Sequence, residues 1–277
     1  MNLSEELNIV ALQPTITLHN LDDNLDNYRL FFQEKLDLMN QIDVICFPEY
    51  WNGLRMNSTS ETTFSESVQY LKSIAQAYST WIVGGSQIIE EKEQFYNRSL
   101  IIDQRGEIVG KYDKQRLFGY ELTQEITPGK SLFIWKMGDF RAGVRICNDL
   151  WNLNLVQELI SKEIDLLFVP ALTVVPEESL TNYGQHIWHN LAFIRAKEGA
   201  MAVVVSDTAK SVLSDPYWST GASCIADPSQ NFTNQEPLGM NMLKKIDSGG
   251  RGILTKTINL LQLRAQRAYR KTAGLLA

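Results

Sequence analysis

Short apolar runs of strand length alternate along the chain with segments of helical period, and they do so twice in the same order. The first round opens with a β-like run around Val10–Leu12 that stops at the turn signal of Pro14. Leu21, Leu25, Tyr28, Phe32, Leu36 and Met39 then recur at steps of three and four, which predicts an amphipathic helix with Asn20 or Asp22 as its cap. "DVICFPE" is a compact apolar run closed by proline and reads as a buried strand. A second helix is expected over residues 65–79, followed by strands in "WIVGGSQIIE" and "NRSLIID" and a hairpin turn at "DQRGE" before "IVGKYDK".

After Pro128-Gly129 the order starts again. "FRAGVRIC" reads as a strand, 152–162 as a helix, "IDLLFVP" as a strand, 180–198 as a helix and "MAVVVSD" as a strand, with paired strands expected near "ASCIADP" and "GILTKTINL". Both rounds follow a β-α-β-α-β-β order, alike in pattern and not in residues. Such alternation implies an α/β protein whose sheets are covered by helices. Two such halves stacked sheet on sheet give the expected architecture, a four-layer α-β-β-α sandwich of two similar halves. Composition alone does not distinguish this from one doubly wound sheet. No stretch is low in complexity or rich enough in Gly, Ser or Pro to mark a linker, so residues 1–277 are expected to form a single domain.

A formal charge of −6 gives no reason to expect nucleic acid or an anionic membrane as partner, and a small solute fits better. The N-terminus has two acidic residues and no basic one before its first apolar run, unlike a secretory signal, and no window resembles a membrane span. A soluble, cytoplasmic protein is the expectation. Cys46, Cys147 and Cys224 are odd in number and far apart, which suits neither a disulfide framework nor a zinc motif.

Three polar residues stand at the ends of apolar runs: Glu49 after "VICFP", Lys114 after "IVGKYD" and Cys147 after "AGVRI". In α/β sheets the crevice beyond the carboxyl ends of strands is where ligands bind, so a carboxylate, an ammonium and a thiol delivered there can converge. Singly, each has an ordinary reading: a solvated cap, a surface lysine, a small buried hydrophobe.

Their order and flanks resemble the nitrilase superfamily of carbon-nitrogen hydrolases, in an amidase-like form. The resemblance rests on Pro48-Glu49, "KQRLF" from Lys114 and "ICND" from Ile146 to Asp149. It extends through "VALQPT", "TPGKSLFIW", "LLFVPAL", "FIRAKEGAMAVVVSD" and "GASCIADP" over nearly the whole chain. It departs at Arg116, where a histidine is common, and at Asn148, where many members have tyrosine. "CND" is similar to N-carbamoyl amino-acid hydrolases, but Leu150 and Trp151 follow in place of their arginines.

The resemblance implies Cys147 as nucleophile, Glu49 as general base and acid, and Lys114 as oxyanion donor. A thiol of ordinary pKa, about 8.5, is mostly protonated at neutral pH and needs such a base. Lys114→Arg is then non-conservative, since a planar fork does not replace a compact ammonium. Family members often carry a second glutamate between the lysine and the "PG" turn; Glu121 and Glu125 both lie in that interval, and the resemblance favours Glu121, whose distance from Gly129 is closer to that in similar members. Asn148, Trp151 and Tyr120 are candidate supporting or substrate-binding residues. The implied activity is hydrolysis of a linear amide to acid and ammonia through a thioester. The alternatives are an N-carbamoyl amine or amino-acid hydrolase, a nitrilase, or a catalytically silent binding protein of the same fold. No cofactor or metal is implied, and a homodimer or higher homo-oligomer is.

Other features carry less. His186 and His189 in "HIWHN" could share a helical face, but no third metal ligand is evident, and neither they nor His19 sits in a Cys-His protease signature. Trp51, Trp188 and Tyr120 are pocket candidates that equally suit a core. The Gly84-Gly85 and Gly249-Gly250 pairs lack phosphate-loop spacing. The basic segment "LRAQRAYRKT" suits a solvated or subunit-facing helix.

Overall fold

Two sheets with matching strand orders carry the architecture seen in the computed structural model, which describes residues 5–36, 39, 41–54, 61–230, 242–246 and 248–276. In the first, Glu6–Gln13, Val44–Cys46 and Trp81–Val83 run parallel, with Gly252–Asn259 antiparallel on one side and Gln94–Ile102 antiparallel on the other. Gln87–Glu91 and Ile108–Asp113 both pair with Gln94–Ile102. In the second, Phe140–Val144, Leu166–Pro170 and Ala202–Ser206 run parallel, flanked by antiparallel Ile134–Met137 and Cys224–Ala226, with Leu243–Lys245 beyond. Each sheet therefore places its first three parallel strands in chain order, so the two halves are alike in topology.

Strand alternation then sorts the side chains into layers. Val10, Leu12, Ile45, Ile82, Leu100 and Ile102 pack on the helices Leu21–Lys35 and Glu61–Ala77 through Tyr28, Phe31, Phe32, Val68, Leu71 and Ile74. Their neighbours Ile9, Ala11, Val44, Cys46, Val83 and Ile101 belong to a second cluster with Ala142, Val144, Leu166 and Phe168 of the other sheet. Leu153–Ile160 and Thr181–Gly199 complete that cluster through Val156, Leu159, Trp188, Ala192 and Ala196. This is the four-layer α-β-β-α sandwich.

Local signals account for most boundaries. Asn20, Asn152 and Asn259 cap their helices by accepting from the backbone three residues on, satisfying donors a helix start leaves open. The first helix ends at Lys35, before Met39, and the Leu21 side chain lies outside the described residues.

Four expectations need correction. "WIVGGSQIIE" is two strands, because Gly84-Gly85 turns the chain between them: Gly85 has φ +55°, and a Cβ there would sit 2.1 Å from the Pro48 carbonyl oxygen. Cys224–Ala226 and Gly252–Asn259 do not pair with each other; the latter crosses to the first sheet and covers the edge of Glu6–Gln13. Ile134–Met137 is an additional strand, hairpinned to Phe140–Val144 through Gly138 at φ +59°. A small sheet of Val174–Val175, Ser211–Ser214 and Tyr217–Ser219 was not foreseen, since its strands are short and largely polar.

Candidate active site

The site is built where strand ends from both halves meet. Glu49 lies three residues past Val44–Cys46 and is held by its own backbone, whose N–H donates to Ala171 O at 3.2 Å, just beyond Leu166–Pro170. Pro48 offers its carbonyl to Ser86 N at 3.2 Å, which explains why only glycine fits at position 85. Lys114 follows Ile108–Asp113; its N–H donates to Asn97 O at 2.9 Å and its carbonyl accepts from Gly129 N at 2.8 Å. A Cβ at Gly129 would stand 2.0 Å from Asp113 O, so the "PG" turn can approach the lysine strand only as glycine.

Cys147 comes after Phe140–Val144, at the first position of the 3₁₀ turn Cys147–Trp151. Its φ is +45°, a left-handed conformation that costs a non-glycine residue on the order of 1 kcal/mol. Asp149 holds this corner. It accepts from Ile146 N at 3.0 Å and Tyr112 OH at 2.7 Å through Oδ2, and from Arg116 N at 2.7 Å and Gln115 N at 3.1 Å through Oδ1. One buried carboxylate therefore fastens the cysteine corner to the chain just after Lys114. Arg145, fully buried, extends the bracket by donating to Tyr112 OH, Leu155 O and Glu158.

Glu49, Lys114 and Cys147 come together with side chains almost removed from solvent, at 2%, 2% and 7% exposure. Lys114 Nζ donates to Glu49 Oε1 at 2.8 Å and to Glu121 Oε2 at 2.7 Å. Asn97 Nδ2 donates into the same cluster, 2.8 Å from Glu49 Oε1, 2.7 Å from Glu121 Oε1 and 2.8 Å from the Tyr50 oxygen. Tyr50 OH donates to Glu121 Oε1 at 2.6 Å, and Phe118 N donates to Glu121 Oε2 at 2.8 Å. Leu172 N donates to Glu49 Oε2 at 3.1 Å and also faces the Cys147 sulfur.

The charges follow from this packing. Burial raises the Glu49 carboxyl above its ordinary range; the Lys114 ammonium opposes that rise and the Glu121 charge adds to it. Burial likewise raises the Cys147 thiol, reinforced by Glu49 and opposed by Lys114. For Lys114 burial works against the charge, but Glu49, Cys147 and Glu121 outweigh it and hold the ammonium well above its ordinary pKa. The packing thus favours a protonated thiol and a charged ammonium beside a carboxyl group more basic than usual. That set can move a proton from sulfur to carboxylate while the cation faces a developing negative charge.

Of the other expected residues, Glu121 is buried against Lys114, whereas Glu125 is exposed. Asn148 is half-buried and donates to Leu117 O at 3.2 Å, and Tyr120 packs on Tyr50 with ring centroids 5.8 Å apart. Trp151 is 47% exposed and meets Trp188 edge-on. Trp51 is not in the site: it is buried among Tyr28, Phe47 and Tyr70 on the helix side of the first sheet. His186 is exposed and His189 buried on the helix Thr181–Gly199, and among the described residues no group of three or more His, Cys, Asp or Glu is placed to hold a metal ion. Cys46 and Cys224 are fully buried, which raises both thiols. Sequence reasoning missed Asn97, Tyr50, the Leu172 N–H and the bracing role of Asp149, which stood in "ICND". A polar Asn97 inside the apolar register of Gln94–Ile102 was a usable signal; a backbone N–H leaves none.

Among the described residues, no helix is long and apolar enough to cross a membrane. The family model for carbon-nitrogen hydrolases matches residues 9–266. Omega-amidase NIT3 of Saccharomyces cerevisiae is 25% identical over 246 residues, 82% of this chain and 81% of that protein. Human omega-amidase NIT2 is 27% identical over 190 residues, 66% of this chain and 63% of that protein. Among solved structures, Saccharomyces cerevisiae Nit3, a member of branch 10 of the nitrilase superfamily, superimposes with a TM-score of 0.77 at 19% identity, covering 98% of this chain and 95% of that one. An amidase from Nesterenkonia sp. gives 0.74 at 17% identity, covering 99% and 98%. At these identities the superpositions establish the fold.

Proposed function

The chain belongs to the carbon-nitrogen hydrolase family, and on that premise we propose that it is a cysteine-dependent hydrolase of non-peptide C–N bonds whose substrate is a linear amide. The observation that carries this reading is the buried meeting of Glu49, Lys114 and the strained Cys147, with Lys114 Nζ 2.8 Å from Glu49 Oε1. The omega-amidase and amidase relatives favour an amide over a nitrile.

In the first half-reaction Glu49 takes the thiol proton as the Cys147 sulfur bonds to the amide carbon. The carbonyl π pair moves onto oxygen, where the Lys114 ammonium and the N–H of Asn148 meet it. The C–N bond breaks as the pair returns, Glu49 passes its proton to the nitrogen, and ammonia leaves a thioester on Cys147. In the second, Glu49 takes a proton from water, the resulting oxygen nucleophile attacks the thioester carbon, and the thiolate departs and regains that proton. The products are a carboxylic acid and ammonia. Glu121, Asn97 and Tyr50 hold Lys114 and Glu49 in register throughout.

An oligomer belongs to the same reading. Trp151 and Leu153 beside the cysteine turn, and Phe193 and Ile194 on the long helix, are exposed apolar side chains that a second copy would cover. Light scattering at micromolar concentration tests it, and a strictly monomeric mass rejects it.

Ammonia release from a panel of linear amides, nitriles and N-carbamoyl compounds, compared with Cys147→Ala, tests the function. Release from amides by the wild type alone supports the reading. Release from carbamoyl compounds or nitriles and not from amides replaces the substrate class. Silence from the whole panel favours the binding-protein alternative.

A further inference from the structure

Asp207 is a fully buried carboxyl group, its pKa pushed up to about 7 by that burial, with no part in the reaction above. Among the described residues it makes no ion pair; it is held by peptide N–H groups, Thr173 N at 2.9 Å and Thr208 N at 2.8 Å on Oδ1, and Ala222 N at 2.8 Å on Oδ2. A carboxylate buried without a cation is costly unless its acceptors are filled. Here filling them ties together three chain segments that leave the second sheet: residues 171–173 after Leu166–Pro170, residues 207–208 after Ala202–Ser206, and residue 222 before Cys224–Ala226.

The first of those segments faces the site with three consecutive backbone groups. Ala171 O accepts from Glu49 N, Leu172 N donates to Glu49 Oε2 at 3.1 Å, and Thr173 N donates to Asp207. Adjacent peptide planes share one Cα, so fixing the Thr173 N–H restricts the direction of the Leu172 N–H.

We propose that Asp207 is a positioning residue for the general base, holding residues 171–173 so that the Leu172 N–H stays on the Glu49 carboxylate beside the Cys147 sulfur. The proposal rests on the reading of Glu49 and Cys147 as base and nucleophile. Its consequence has a definite sign. A donor on a carboxylate favours the charged form, so loosening Leu172 raises the pKa of Glu49 further. Glu49 then begins to accept the thiol proton only at a higher pH.

The test is alkylation of Cys147 by iodoacetamide followed by intact mass and peptide mapping across pH, which needs no knowledge of the substrate. In Asp207→Ala the acid limb of the alkylation profile is expected to move up by about half to one pH unit, the equivalent of one hydrogen bond of about 1 kcal/mol. In Asp207→Asn, whose carbonyl can still accept from Thr173 and Thr208, the limb should remain at the wild-type position. A merely structural role would lower both variants' melting temperatures and leave both limbs in place, and that result overturns the proposal. If Asp207→Ala does not fold, hydrogen exchange in the wild type decides. Leu172 and Thr173 amides protected as well as those of Val203–Val205 support the tie, and exchange at open-loop rates rejects it. Preferential labelling of Cys46 or Cys224 over Cys147 in the wild type would reject the cysteine-hydrolase reading itself, and this inference with it.

Discussion

Lys114 donates to Glu49 at 2.8 Å with both side chains 2% exposed, so the ammonium and the carboxylate are one buried unit. Removing Lys114 leaves two carboxylates in a medium that cannot solvate them, whereas neutralising Glu49 leaves Lys114 still paired with Glu121. Lys114→Arg keeps the charge and loses the compact geometry shared with Glu121. Turnover should fall by about 10²–10³, the loss typical of one oxyanion donor. Steady-state kinetics at saturating amide checks this; an arginine variant within threefold of wild type would refute the role.

The raised pKa of Glu49 fixes the sign of the pH dependence. On the proposed mechanism the carboxylate is the base, so activity is expected above that raised value and is lost as pH falls through it. The acid limb of kcat/KM should therefore inflect above the ordinary glutamate value of about 4.3. Lys114, held well above its ordinary pKa, should contribute no limb below about pH 10. An inflection at or below 4.3, or a limb removed by substituting Lys114, contradicts this assignment.

Replacing the base without changing its shape separates chemistry from packing. Glu49→Gln should leave the melting temperature within a few degrees and lower kcat by about 10²–10⁴, the usual contribution of a general base. Wild-type turnover in this variant would rule out the mechanism.

Much of this site was legible because three reactive residue types stand where apolar runs stop. Glu49, Lys114 and Cys147 each end a strand-like segment, and their flanks carry family motifs. What was not legible is contributed by backbone or by long-range register. Leu172 meets Glu49 through a peptide N–H whose side chain says nothing of it. Asn97 enters because Gln94–Ile102 pairs with three other strands at once, which fixes its side chain toward Glu49. Asp149 was visible in "ICND", but its four donors lie on Ile146, Tyr112, Gln115 and Arg116, and only the fold brings them together. The crossing of Gly252–Asn259 to the first sheet escaped notice because adjacency in sequence favours pairing with Cys224–Ala226.

The left-handed Cys147 yields a stability prediction independent of catalysis. Glycine adopts φ +45° without strain, so Cys147→Gly should be more stable than Cys147→Ala by about 0.5–1 kcal/mol, the reverse of the usual order. Paired denaturant titrations measure the difference. The usual order, with alanine ahead, would mean that the corner carries no strain.

Asp149→Ala should be the most damaging change that touches no reacting atom. It leaves three peptide N–H groups and the Tyr112 hydroxyl without their acceptor, a loss of about 3 kcal/mol or more. The denaturant midpoint reports it, and a loss under about 1 kcal/mol would show that the bracket is not needed to hold the cysteine corner.

The central claim is that Cys147 carries the acyl group. Rapid acid quenching during turnover of a reactive linear amide, followed by intact mass and peptide mapping, tests it directly. The expected result is a mass increase equal to the acyl group, confined to the peptide containing Cys147 and absent from Cys147→Ala, which releases no ammonia. Ammonia release by Cys147→Ala at the wild-type rate, or an acyl group mapped to another residue, would contradict it.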